Sequence, residues 1–257
     1  MKRRQLIRYG GAGLLSAIGS TWISGFQTSQ AQSSGSLSIQ YLGHTCFLFT
    51  GDGLRVLVNP FRTLGCTAGY RLPSVEADLV LISSQLFDEG AAENLPGNPK
   101  ILFESGVFLF NNTKFQGLGM PHDRQGGRRF GTNVAWLWQQ GGIKILHLGG
   151  AAAPIDIEQK ILIGRPDVAL MPVGGGKKAY NPTEAMQAMR NIKPRVLIPT
   201  HYRTAAADAD NCDIVPVEEF LQLSEGFSVQ RLGNTTTISR NNLPAEGTAI
   251  RVLSYNF

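Results

Sequence analysis

The chain has 257 residues, is 42% hydrophobic and 17% charged, and carries a formal net charge of +5. That composition excludes a disordered protein, and the length suits one large domain or two small ones. Lys2, Arg3, Arg4 and Arg8 account for four of the excess positive charges, so the rest is nearly neutral and offers no basic face for nucleic acid.

Taken in order, Lys2-Arg3-Arg4-Gln5-Leu6-Ile7-Arg8 reads as the charged start of an export signal with a twin-arginine pair. Tyr9 to Phe26 is weakly apolar and broken by five glycines, too poor a stretch for a permanent membrane anchor. Ser29-Gln30-Ala31 places cleavage after Ala31. The expectation is a protein exported to a bacterial periplasm or thylakoid-type lumen, with no membrane partner once the signal is removed. Residues 32–36 read as a polar linker and 37–257 as one α/β domain.

Short β-branched or aromatic runs ended by Gly, Pro or Asn predict strands at 37–42, 46–50, 54–59, 79–83, 101–104, 115–120, 134–139, 143–148, 168–172 and 196–200. Gly51-Asp52-Gly53 and Gln140-Gly141-Gly142 are hairpin turns. Asn181 as N-cap, Pro182 behind it and Glu184 at the third position open a helix that Pro194 closes. Its Met186 and Met189 are core packing. Two further helices are expected over 155–163 and 217–223. Cys46, Cys66 and Cys212 allow one disulfide and one free thiol, and spacing does not say which pair bonds.

The acid–base inventory is small. His44, His122, His147 and His201 are the only histidines, each at or beside a strand end, where side chains can converge on one rim. The blocks around them carry a resemblance. Tyr41-Leu42-Gly43-His44-Thr45-Cys46-Phe47, Leu54 to Phe61, Ala77 to Ser83, Pro121-His122-Asp123, Ile145-Leu146-His147-Leu148-Gly149, Asp167 to Gly175 and Pro199-Thr200-His201-Tyr202 follow one another in order. Together the chain resembles the metallo-β-lactamase-fold superfamily, most nearly its ascorbate-6-phosphate lactonase-like hydrolases. The resemblance implies a four-layer αββα sandwich with the site at one edge. It also implies two metals that activate a water, held through a His-x-His-x-Asp-His run, a bridging Asp and two later histidines.

The sequence departs from that pattern. The run is replaced by Ser84-Gln85-Leu86-Phe87-Asp88-Glu89, and Gly150 stands where the bridging Asp belongs. Leu86 offers no lone pair, so of the first metal's ligands only His122 remains. Asp88 and His201 remain for the second, with Glu89 in a histidine's place. That set holds at most one divalent cation (zinc, manganese or iron), and its oxygen-rich character favours manganese, iron or magnesium over zinc. The plainer alternative has Asp88 capping a following helix, Glu89 solvated in its first turn and His201 bonded locally.

Two functional expectations follow. The first is an exported protein that keeps the fold, has lost dinuclear hydrolysis, and binds a small-molecule or protein ligand in the old pocket at the sandwich edge. The alternative is a mononuclear hydrolase of an ester, lactone or phosphoester. In it Asp88 and His201, with Glu89, hold the cation, and His122 orients the leaving group or oxyanion.

Three other features are weaker. Gly174-Gly175-Gly176-Lys177-Lys178 lacks the Ser or Thr of a phosphate loop, and its lysines read as solvated. Arg124, Arg128 and Arg129 read as a soluble loop face, with an acidic ligand as the alternative. Ser84 lacks a nucleophile elbow.

Overall fold

The structure, a computed structural model, describes residues 35–207 and 212–255; the expected signal and most of the linker lie outside the described residues. The chain opens as a meander. Strands β1 (Ser36–Gly43), β2 (Cys46–Gly51) and β3 (Leu54–Val58) pair antiparallel, and Gly51-Asp52-Gly53 closes the second hairpin. β4 (Leu79–Leu81) and β5 (Lys100–Leu102) then add in parallel. Among the described residues this first sheet has six strands, its other edge being β13 (Thr235–Ser239) beside β1.

The second sheet has eight strands. β6 (Gly106–Phe110), β7 (Thr113–Pro121), β8 (Thr132–Gln140) and β9 (Ile143–His147) form an antiparallel half. β10 (Val168–Pro172), β11 (Val196–Thr200), β14 (Ala249–Leu253) and β12 (Ser228–Leu232) continue it in parallel. β10 and β11 are buried along their whole length, as parallel strands covered on both faces must be, and their sequences are accordingly apolar up to the closing Thr200.

Three apolar layers result. Ile39, Phe47, Phe49, Val56, Trp136, Trp138, Ile145, Leu170 and Ile198 fill the space between the sheets. On the outer face of the second sheet lie α1 (Ile157–Ile163), α2 (Pro182–Ile192) and α3 (Val217–Gln222), which bury Ile163, Met186, Met189, Ile192, Val217 and Phe220. Burying side chains of this size stabilises by about 1.5–3 kcal/mol each. The outer face of the first sheet is covered by irregular chain with one 3-10 turn at Gly65–Thr67, and packs Leu57, Phe61, Tyr70, Val80 and Ala206. The fold is thus the expected α/β sandwich of two sheets, with its regular helices on the second sheet.

Local chemistry explains the elements. The Asn181 carboxamide accepts the Glu184 N–H at 2.9 Å while the Glu184 carboxylate accepts the Asn181 N–H at 2.9 Å, a reciprocal cap with Pro182 inside it. Lys193 ends the helix in the left-handed conformation. Strands at 106–110, 228–232, 235–239 and 249–253 were not expected. β12 and β13 are edge strands rich in Ser, Thr, Gln and Arg, so they lack the apolar alternation that announces a strand.

Cys66 and Cys212 form the disulfide, and Cys46 is the buried free thiol. The bond ties the irregular cover of the first sheet to the segment after β11, across 146 residues of sequence. In the chain-entropy description a loop of that length stabilises by about 4–5 kcal/mol. Reduction, or Cys66→Ala, is expected to lower the thermal midpoint, while Cys46→Ala leaves the sensitivity to reductant unchanged. Paired melting curves with and without reductant test this, and equal loss in Cys46→Ala would refute the assignment.

Candidate metal centre

One rim of the sandwich gathers the functional side chains. His44 follows β1 of the first sheet, and His201 follows β11 of the second. The His201 N–H donates to the His44 carbonyl at 3.1 Å, so the two sheets are stitched together at this point. Both residues take the left-handed backbone, with φ of 54° and 50°. That conformation is uncommon for a residue with a Cβ, and it concentrates at functional sites. It brings the two imidazoles to 4.3 Å between ring centroids.

Asp88 completes the group. It sits in a tight turn in which the Glu89 and Gly90 N–H groups donate to the Leu86 carbonyl, and no helix follows it. Its Oδ2 is 3.6 Å from His44 Nε2. Among the described residues, His44, Asp88 and His201 form the one group of three donors whose ligand atoms lie within 4.8 Å of one another. The fit to a cation can be tested on unpaired atoms. His44 Nδ1 and Nε2 and His201 Nδ1 are buried without a hydrogen-bond partner, which is costly unless a ligand satisfies them. Burial pushes the His201 imidazole well below its usual pKa, with His44 and Lys178 adding to the effect, so it is a neutral donor. Burial pushes the Asp88 carboxyl up, but His44 and the Lys178 ammonium outweigh it and hold it well below the carboxylate range. Two imidazoles and one carboxylate suit a single zinc, manganese or iron ion with open positions.

Glu89 and His122 lie together beside this group. Both are fully buried, with His122 Nε2 3.5 Å from Glu89 Oε2, and Ser84 Oγ donates to the same carboxylate at 3.1 Å. Burial raises Glu89 to about 7, against the opposing pull of Lys178. Burial also lowers His122 to about 4, helped by Lys178. The two carboxyls adjacent in sequence are therefore split: Asp88 is an anion, while Glu89 takes up a proton near neutrality. Asp88, His201, Glu89 and His122 thus all reach the rim, but Glu89 points to His122 and Ser84 rather than joining the three-donor group. His44 is the member that sequence reasoning left without a role; its place directly after a strand was the available signal.

The space at Gly150 explains the pairing. A Cβ there would stand 2.4 Å from His122 Nε2 and 2.5 Å from Glu89 Oε1. Where the resemblance expects the bridging Asp at 150, the Glu89 carboxylate fills that room from the turn at 86–90. Gly150→Ala is expected to destabilise by about 1–3 kcal/mol through overpacking, measurable by urea denaturation. An unchanged midpoint would show that Glu89 and His122 move aside freely.

His147 is structural. It is fully buried; its Nε2 donates to the Thr45 carbonyl at 3.1 Å and its Nδ1 accepts the Gly149 N–H at 3.1 Å, which assigns the proton to Nε2. Burial lowers its pKa from 6.5 to about 3. The unfolded chain therefore binds this proton first, and its stabilising contribution is lost as pH falls from 6.5 through about 3. Denaturation midpoints are expected to fall between pH 7 and pH 4.5, and His147→Gln to flatten that slope; an equal slope in the variant would remove His147 as a cause.

The surrounding loops are built rather than loose. Burial raises Asp123, but N–H groups of Phe130, Arg129, Gln125 and Gly127 donate to it and hold it at about 2. Arg124 does not face an external ligand: it pairs with Glu184 and donates to the Gly176 and Ala179 carbonyls. Lys178, expected to be solvated, instead pairs with Asp88. A cavity of about 360 Å³ opens over His44, Asp88, Lys178 and His201, walled by Leu86, Phe87 and Phe130. A second, of about 620 Å³, is lined by Ser84, Gln85, Leu86, Phe103 and Phe130.

A two-sheet sandwich with imidazole and carboxylate donors at one rim defines a metallohydrolase-type fold. The chain belongs to the beta-lactamase superfamily: the family's domain model matches residues 38–201. It is 29% identical over 193 residues to a UPF0173 metal-dependent hydrolase of Thermococcus onnurineus, covering 65% of this chain and 85% of that protein. It is 28% identical over 200 residues to a UPF0173 metal-dependent hydrolase of Methanoregula boonei, covering 68% and 87%. A Thermotoga maritima crystal structure assigned to Zn-dependent hydrolases of the metallo-beta-lactamase superfamily superposes with a TM-score of 0.67 at 28% identity, over 85% of this chain and all of that one.

These relatives and the site geometry correct one expectation. The reading of an exported protein reduced to ligand binding rested on the missing ligands at Ser84, Leu86 and Gly150. Relatives matching 65–68% of the chain are named metal-dependent hydrolases, and His44 forms a three-donor group with Asp88 and His201. The count of lost ligands missed this because His44 lies forty residues upstream of the motif, and only the fold brings it to Asp88.

Proposed function

We propose that this protein is a hydrolase that depends on one divalent cation held between His44, Asp88 and His201 and that cleaves an ester, lactone or phosphoester. The observation that carries the reading is the convergence of three donor atoms within 4.8 Å, with buried and unpaired nitrogens on both histidines. A bound cation there would polarise the scissile group and acidify water. The chain's own residues supply the rest. Asp88 brings the negative charge, and the two left-handed turns fix the imidazoles before any ligand arrives. Leu86, Phe87 and Phe130 give the cavity one apolar side, beside which charges are screened less than in bulk water. Glu89, raised by burial to about 7, has Oε1 unpaired and takes up a proton near neutrality, and burial keeps His122 neutral beside it. Export through the twin-arginine signal belongs to the same reading, and the Cys66–Cys212 disulfide supports it, since such bonds persist in oxidising compartments.

The test is metal content by elemental mass spectrometry together with hydrolysis of an aryl ester, a lactone and an aryl phosphoester. About one cation per chain is expected. His201→Ala is expected to lose both cation and turnover, by more than the roughly 10–100-fold that loss of a supporting partner costs. Full activity in His201→Ala, or in protein stripped by a chelator, would overturn the reading.

A further inference from the structure

We propose that Lys178 is a tethered cation that competes with the metal for Asp88, so that a divalent ion enters the His44–Asp88–His201 group only by displacing the lysine ammonium. The inference rests on the metal-dependent reading above and adds a residue that sets which cations, and at what concentration, the site accepts.

The geometry is specific. Lys178 Nζ lies 2.5 Å from Asp88 Oδ1 and also contacts Oδ2, so one ammonium spans both carboxylate oxygens. The lysine side chain is 17% exposed and Asp88 23%, so the pair is largely withdrawn from water. Its charge is felt across the whole rim: it acts on Glu89, His122 and His201 as well as Asp88. An ammonium so placed already neutralises the one anionic donor of the metal group.

The loop that carries Lys178 is held in place rather than draped. Gly174 N–H donates to the His201 carbonyl, and Gly175 N–H to the Tyr180 carbonyl. Gly175 and Gly176, both at φ 79°, make the turn, which a residue with a Cβ would strain. Arg124, anchored on Glu184, donates to the Gly176 and Ala179 carbonyls on either side of the two lysines. Lys177 faces solvent while Lys178 is directed inward.

The exchange is balanced in charge and atoms. The Asp88–Lys178 ion pair opens, a hydrated divalent ion joins Asp88 and the two imidazoles, and the ammonium turns to water through the open cavity. No proton or electron is transferred. Two cations on one carboxylate repel, so the site is competent only in the fraction of molecules with Lys178 turned away, and apparent affinity is lowered by that fraction.

The experiment compares zinc and manganese binding to chelator-stripped wild type, Lys178→Met and Lys178→Gln by isothermal titration calorimetry, with His201→Ala as the site control. Both lysine variants are expected to bind about tenfold or more tightly than wild type, as removal of a competitor requires. Added metal is also expected to raise their thermal midpoints more than wild type's. Lys178→Gln keeps a neutral hydrogen-bond donor on a shorter stem and Lys178→Met an apolar stem, so folding does not hang on one variant. Wild-type binding that is lost in His201→Ala but unchanged or weaker in the lysine variants overturns the competition and leaves the metal-dependent reading standing. Binding in neither wild type nor lysine variants overturns that reading, and the competition with it.

Discussion

A carboxylate withdrawn from water at the rim of a sandwich needs a positive partner, and Asp88 is the charge around which this rim is arranged. Burial alone would neutralise it; His44 and Lys178 keep it ionised. Glu89, one residue on, has no such partner and takes the opposite course, holding its proton near neutrality against His122 and Ser84. The same electrostatic necessity therefore gives two adjacent acids different states, one able to hold a cation and one holding a proton.

That arrangement depends on how the two sheets meet. His44 closes a strand of the first sheet and His201 a strand of the second, and a backbone hydrogen bond joins them. Between the sheets, Phe47, Phe49, Trp136 and Trp138 set the spacing. The donors of the rim are therefore brought together by the packing of the two sheets and the His201–His44 backbone bond. The irregular cover on the first sheet contributes differently: Cys66 and Cys212 bind it to the segment after β11, on the cavity's margin.

The substitutions at Ser84, Leu86 and Gly150 take on a different meaning in this setting. Removing a side chain at 150 opens room that the Glu89 carboxylate and His122 imidazole fill. A carboxylate that the resemblance places after β9 is thus supplied from the turn at 86–90. Beside it, an ammonium from the Gly174–Tyr180 loop supplies positive charge. Charge at the rim is compensated by relocation across the fold, which a position-by-position comparison of motif residues does not register.

Much of the fold was legible in the residues themselves. Apolar runs at 168–172 and 196–199 announced two strands, which the structure pairs in parallel, and Asn181-Pro182 with Glu184 announced a capped helix. These signals are local, carried by periodicity and by hydrogen bonds a few residues apart. Asp88 and His201 were named from the sequence as well, because each stands in a short motif, and the structure brings their donor atoms together. The polar edge strands, the disulfide partner and the roles of His44 and Lys178 were not. Each depends on contacts between residues tens to hundreds of positions apart, and the lysine's partner, Asp88, lies 90 residues away. Local residue patterns carry most of the strands, the capped helix and the list of available donors, and the resemblance carries the layers. Which donors meet follows from packing, because the distances that govern coordination and ion pairing are set by sheet packing and loop anchoring, not by separation along the chain.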